Sequence, residues 1–144
     1  MQERPIPFSP AMVASLLAGT KTQTRRVLAE AGVACDGVRN GTAYRIGPGG
    51  ETIALSCPYG APGDRLRVEG PGAIVLEITS IHAERLGRIS VADALAEGVE
   101  TGDPDARRDP IASYRTLWDS LNLRRGFGWS TDPWVWVIAF RRLF

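Results

Sequence analysis

The chain has 144 residues, 44% of them hydrophobic and 23% charged, with a formal charge of +1. That length and composition fit one folded domain with a sizeable core, and the near-neutral charge excludes coating of nucleic acid by charge alone. No apolar run reaches the roughly 18 residues of a membrane helix, and two cysteines and one histidine are too few for a protein metal site.

The opening MQERPIPFSP lacks the basic-then-apolar layout of a secretory leader, so the expected location is cytoplasmic. There, no disulfide between Cys35 and Cys57 is expected, and no cofactor. Ser9-Pro10 reads as a helix start, with Ser9 as N-cap and Pro10 in the first turn. Met12, Val13, Leu16 and Leu17 give the spacing of one buried helical face, and Gly19 is placed to stop the helix. Thr22 to Val27 then leads into a strand.

Residues 29–56, AEAGVACDGVRNGTAYRIGPGGETIALS, are rich in Gly and small residues. GPGG between two short strand-like pieces marks a hairpin, so this stretch is expected to be a hairpin-like insertion in a single domain spanning 1–144. In CPYGAPGDRLRV, Pro62-Gly63 forms a turn that Asp64 can brace, and Leu66 and Val68 face inward. Residues 72–81, GAIVLEITSI, form the clearest strand.

Ser90 and Asp93 suggest a capping box for a short helix that ends before Gly98. Residues 100–110 read as a surface loop. Asp109-Pro110 opens a further helix, whose buried face is marked by Ile111, Tyr114, Leu117, Trp118 and Leu121. Residues 134–142, WVWVIAFRR, close the chain as a strand with Trp134, Trp136, Ile138 and Phe140 on one side. Helix, strands, two helices and a strand make an α+β domain around a curved sheet or barrel.

One position departs from the chain's own habit. Its 17 basic residues are 16 arginines and a single lysine, Lys21, within GTKTQTRR at 19–26. Lysine, unlike arginine, can give up its proton when buried or crowded by cations, and Arg25 and Arg26 lie close by. A partly buried Lys21 would therefore have a lowered pKa and could take the proton of a nearby hydroxyl, Thr24 or Thr22. Lys21 and Thr24 meet only if the chain bends between them. Otherwise Lys21 is a solvated cation after a helix C-terminus.

GTKTQTRR also fits the G-x-K-x-x-[ET]-x-R pattern of the ASCH domain, placing Gly19, Lys21, Thr24 and Arg26 on its fixed positions. PIPFSPAMVASLLAGTKTQTRR, CPYGAPGDRLRV, ISVADALAEGV, and LWDSLN followed by DPWVWVIAFRR resemble phage- and prophage-encoded ASCH proteins in the same order. The resemblance implies an α+β, PUA-like small β-barrel with flanking helices.

The threonine form of the motif is similar to that of bacterial N(4)-acetylcytidine amidohydrolases, which are proposed to use a lysine, a threonine and a glutamate. The resemblance carries these roles to Lys21, Thr24 and Glu97, with Glu69 as the competing carboxylate. Spacing alone would leave Glu97 an exposed helix-end acid. The implied reaction removes an acyl group from a modified cytidine, with Arg26 or a backbone N–H at the oxyanion. Tyr59 is a candidate to stack on the pyrimidine.

The insertion and the helix after residue 109 depart from the shorter amidohydrolases. Two other readings proposed for ASCH relatives therefore stay open: an RNA-binding module without catalysis, and a ribonuclease. The implied partner is a modified nucleoside or single-stranded RNA, with no membrane and no metal. Trp118 and Trp136 are read as core. Trp129 is the ring expected to be most exposed, and Arg124-Arg125 and Arg141-Arg142 are read as solvated charges.

Overall fold

The computed structural model describes residues 1–31, 34–70, 72–99 and 104–144. The first elements are strand β1 (Glu3–Ile6), helix α1 (Pro10–Ala18) and strand β2 (Gln23–Val27). Three short strands follow, β3 (Gly37–Arg39), β4 (Thr42–Ile46) and β5 (Thr52–Ala54), then β6 (Arg65–Val68) and the long β7 (Val75–Arg85). Helices α2 (Val91–Ala96), α3 (Pro104–Arg108) and α4 (Pro110–Asn122) precede the final strand, β8 (Trp134–Arg142).

Local chemistry sets the helix ends as the sequence suggests. The Ser9 hydroxyl accepts the Met12 N–H, Pro10 occupies the first turn, and Gly19 ends α1 at φ 78°. The αL conformation at that cap suits a residue without Cβ. Ser90 and Asp93 form the reciprocal capping box of α2, and the Asp109 carboxylate caps α4 by accepting the Ala112 N–H.

The main sheet has five strands in the order β1-β6-β7-β8-β2. Only β1 and β6 run parallel; the other pairs are antiparallel. β1 and β2 are the outer strands, so the hydrogen bonding of the described residues does not close into the expected barrel. The stretch 29–56 does contain the GPGG hairpin, β4 with β5, and β3 extends it to a three-stranded sheet.

Several expectations need adjusting. The strand expected at 72–81 starts at Val75 and runs on to Arg85, since β8 offers it a long antiparallel partner. Of the expected loop, residues 104–108 are helix α3, and 100–103 lie outside the described residues. Leu17 and Leu121 are exposed although they share the apolar spacing of their helices. Trp129 is half-buried, edge-on to Tyr114 with ring centroids 6.3 Å apart.

β8 is a central strand, and both of its faces are covered. Trp136, Ile138 and Phe140 join one core with Ile6, Leu16, Leu66 and Leu76. Val135 and Val137 join a second core with Val27, Tyr114 and Trp118. Because side chains alternate along a strand, β2 beside β8 sends Thr24 and Arg26 toward the first core's side and Arg25 toward the second.

Candidate active site

Lys21 lies in the short link between the cap of α1 and the start of β2. Its backbone N–H and that of Thr20 both donate to the Ser15 carbonyl. The Thr22 N–H donates to the Ala96 carbonyl at 2.7 Å, and the Ser15 hydroxyl donates to the Gly98 carbonyl at 3.1 Å. These bonds fasten the end of α1 to the end of α2. Gly98 has φ 91°, and a Cβ there would come within 2.9 Å of the Cβ atoms of both Lys21 and Ser15. Only glycine fits this approach.

The result places Glu97, the C-cap of α2, against Lys21. Both are 3% exposed, and Lys21 Nζ is 3.7 Å from Glu97 Oε2. The ammonium donates to the carbonyls of Gln23 at 2.9 Å and Glu97 at 3.1 Å. Burial pushes the Lys21 pKa below the usual lysine range. Glu97 opposes that shift, while Arg26 and Arg25 reinforce it. The two carbonyl acceptors favour the protonated form. Among the described residues, no hydrogen bond joins Lys21 to Thr24.

Arg25, fully enclosed, ties this pair to a wider set of acids. Its guanidinium is 3.2 Å from Asp93, 3.8 Å from Glu84 and 4.0 Å from Glu97 Oε2, and it also bonds the Gln23 side chain. The Tyr114 hydroxyl of α4 donates to Glu97 Oε1 at 2.8 Å. Burial, followed by the Glu97 charge, holds the Tyr114 pKa well above the ordinary value, so Tyr114 is a donor. Glu97 Oε2 has no hydrogen-bond partner among the described residues.

A cavity of about 350 Å³ opens beside β2, with Phe8, Thr24, Arg26, Glu97, Tyr114 and Trp118 in its wall. Thr24 is 2% exposed. Arg26 donates to the Pro7 carbonyl at 2.9 Å, and its guanidinium lies 4.9 Å from the Phe8 ring centre and 5.9 Å from that of Tyr59. Lys21 Nζ is 5.5 Å from the same Phe8 ring.

Thr24, Arg26 and Glu97 thus line one cavity, with Lys21 touching Glu97 behind that wall. Tyr59 is half-buried beside Arg26, outside the lining. Glu69, the competing carboxylate, is exposed. Sequence reasoning missed Phe8 and took Tyr114 for core alone. Tyr114 is core as well, and its apolar spacing masks the second role.

The sequence matches no family model and no curated protein. The fold is recognisable where the sequence is not. A solved ASCH domain from Lactobacillus crispatus JV V101 superposes with a TM-score of 0.59 at 14% identity, over 98% of this chain and 79% of that one. The chain has the fold of an ASCH domain. A protein of Enterococcus faecalis V583 gives a TM-score of 0.54 at 11% identity, over 99% of this chain and 80% of that one. On this ASCH fold the cavity sits at the outer strand β2, between the segment leading into α1 and helix α4.

Proposed function

We propose that the cavity hydrolyses an acyl group from the exocyclic nitrogen of a modified cytidine, with N(4)-acetylcytidine as the reference substrate. One observation carries this reading. Thr24 and Glu97 line the same cavity, and Lys21 lies 3.7 Å from the Glu97 carboxylate behind that wall. The cavity volume of about 350 Å³ is at the small end of ligand sites, which span roughly 300–1,000 Å³. It suits one nucleoside better than a length of folded RNA.

In this reading Lys21, in its neutral form, accepts the Thr24 hydroxyl proton, and the oxygen attacks the acyl carbonyl carbon. A C–O bond forms and the carbonyl electrons collect on oxygen, where Arg26 would stabilise them. The C–N bond then breaks, and the proton held by the Lys21–Glu97 pair passes to the leaving amine of cytidine. Water then gives a proton to the same pair and attacks the acyl carbon; the bond to the Thr24 oxygen breaks, the pair returns the proton to that oxygen, and the carboxylic acid is released. The Lys21 ammonium must first leave its two carbonyl acceptors.

Those carbonyls also support a second reading. A lysine held on two backbone oxygens serves equally as a fixed structural cation, in an RNA-binding cleft without catalysis. Incubating the protein with N(4)-acetylcytidine and following cytidine by chromatography separates the two. Cytidine release that disappears with Lys21→Arg supports the hydrolase. No release by either protein, with RNA bound by both, supports the binding cleft.

A further inference from the structure

We propose that Phe8 is a positioning residue for Lys21: its ring is the cover that separates the ammonium from the cavity and keeps water off it. Its bearing on the reaction rests on the hydrolase reading above and deepens it, because that reaction needs Lys21 without its proton.

The link between β1 and α1 is only residues 7–9, and it is pinned on both sides of Phe8. The Pro7 carbonyl accepts from Arg26 at 2.9 Å, and the Ser9 hydroxyl accepts the Met12 N–H. The Arg26 guanidinium, 4.9 Å from the ring centre, adds a cation–π contact that holds the ring itself.

The Lys21 side chain is 1% exposed and does not belong to the cavity lining. Among the groups around its Nζ, Phe8, with its ring centre at 5.5 Å, and Glu97 do belong to that lining. Glu97 is itself enclosed, whereas Phe8 is half-buried. The ring is therefore the apolar surface between the ligand space and the ammonium.

Such a ring acts on a lysine in two opposing ways. Its face attracts a cation, an effect confined to about 6 Å from the ring centre. By excluding water it also disfavours the charged form. At 5.5 Å the attraction is near its limit, and burial is the leading cause of the lowered Lys21 pKa. Exclusion of water wins.

The other charged groups facing Lys21 are Glu97 of α2, which opposes the shift, and Arg26 and Arg25 of β2, which reinforce it. Asp93 and Glu84 reach it through Arg25, and Tyr114 of α4 through Glu97. Truncating Phe8 removes none of these, so a changed titration of Lys21 reports the cover.

Lys21 is the single lysine of the chain, so protein grown with lysine labelled with carbon-13 at Cε gives one side-chain resonance that needs no assignment. Its pH titration is compared in the wild type, Phe8→Ala and Phe8→Leu, beside turnover of N(4)-acetylcytidine against pH. Phe8→Ala should move the midpoint up toward the ordinary lysine value. Turnover at neutral pH should fall by about ten-fold and recover as pH rises. Phe8→Leu keeps an apolar cover without an aromatic face, and should hold the midpoint close to that of the wild type.

A midpoint that stays or falls in folded Phe8→Ala overturns the inference and leaves the hydrolase reading intact. Equal upward shifts in Phe8→Ala and Phe8→Leu overturn it as well. A midpoint that moves as expected, in a protein whose wild type releases no cytidine, upholds the cover and overturns the hydrolase reading. Should Phe8→Ala not fold, Phe8→Val takes its place with a smaller upward shift expected, and an unmoved midpoint there overturns the inference.

Discussion

Lys21 and Glu97, 76 positions apart in the chain, are joined twice: the ammonium donates to the Glu97 backbone carbonyl at 3.1 Å and lies 3.7 Å from its carboxylate. The backbone contact sets where the lysine sits, while burial lowers its pKa and the carboxylate opposes that shift. A substitution at either residue therefore separates position from protonation.

Lys21→Arg keeps a cation but removes the ability to lose a proton. Hydrolysis of N(4)-acetylcytidine is expected to fall by about 100-fold or more, while cytidine binding changes little. Turnover assays and calorimetry on the same preparation check both halves.

Thr24→Val removes the hydroxyl and keeps the β-branched shape suited to a strand. Turnover should be lost with the melting temperature nearly unchanged, whereas Thr24→Ser should retain part of the activity. Equal activity of Thr24→Val and the wild type would exclude Thr24 as nucleophile.

Glu97→Gln leaves Lys21 and Arg25 buried without their shared carboxylate. Breaking such a pair costs about 3–5 kcal/mol, and urea unfolding at neutral pH reads the loss. Lys21→Met in the same background should recover part of it, because Arg25 keeps Asp93 and Glu84 while Lys21 has no other carboxylate among the described residues.

Stability should pass through a maximum in alkali. Lys21 has a lowered folded pKa, so between that value and the unfolded one the unfolded chain binds more protons, and stability rises with pH. Tyr114 has a raised folded pKa. Above the ordinary tyrosine value the folded chain holds the extra proton, and stability then falls as pH rises. Urea unfolding across this range should show the rising limb vanish in Lys21→Arg and the falling limb weaken in Tyr114→Phe.

Gly98→Ala puts a Cβ within 2.9 Å of Lys21 and Ser15 at a φ of 91°. The αL strain alone is about 1–2 kcal/mol, and the clash adds to it. Activity should fall together with stability, since the glycine seats Glu97 beside Lys21.

Local chemistry made much of the fold legible. Ser9, Ser90 and Asp109 announce their helices because a cap is a contact within a few residues. The full reach of β7 was not legible, because its length is set by pairing with β8 some fifty residues later. Leu17 and Leu121 misled for a related reason: helical spacing says which residues share a face, not how far the neighbouring element extends over it.

The site divides in the same way. Lys21 stands out by its rarity and Thr24 by the motif. Spacing would leave Glu97 in solvent, and it is the packing of α4 over α2 that buries it, a long-range contact. Tyr114 combines both problems, since a tyrosine on an apolar stripe looks the same whether or not its hydroxyl has a task.

The order of the strands bears on how the protein is made. β2 carries Thr24, Arg25 and Arg26, and its strand partner in the sheet is β8, the last strand of the chain. During synthesis the motif emerges early yet has no strand to pair with until residues 134–142 have left the ribosome. A nascent chain lacking them holds the motif unassembled, so the cavity can form only once β8 is available. Truncation before β8 should abolish ligand binding altogether rather than weaken it by degrees.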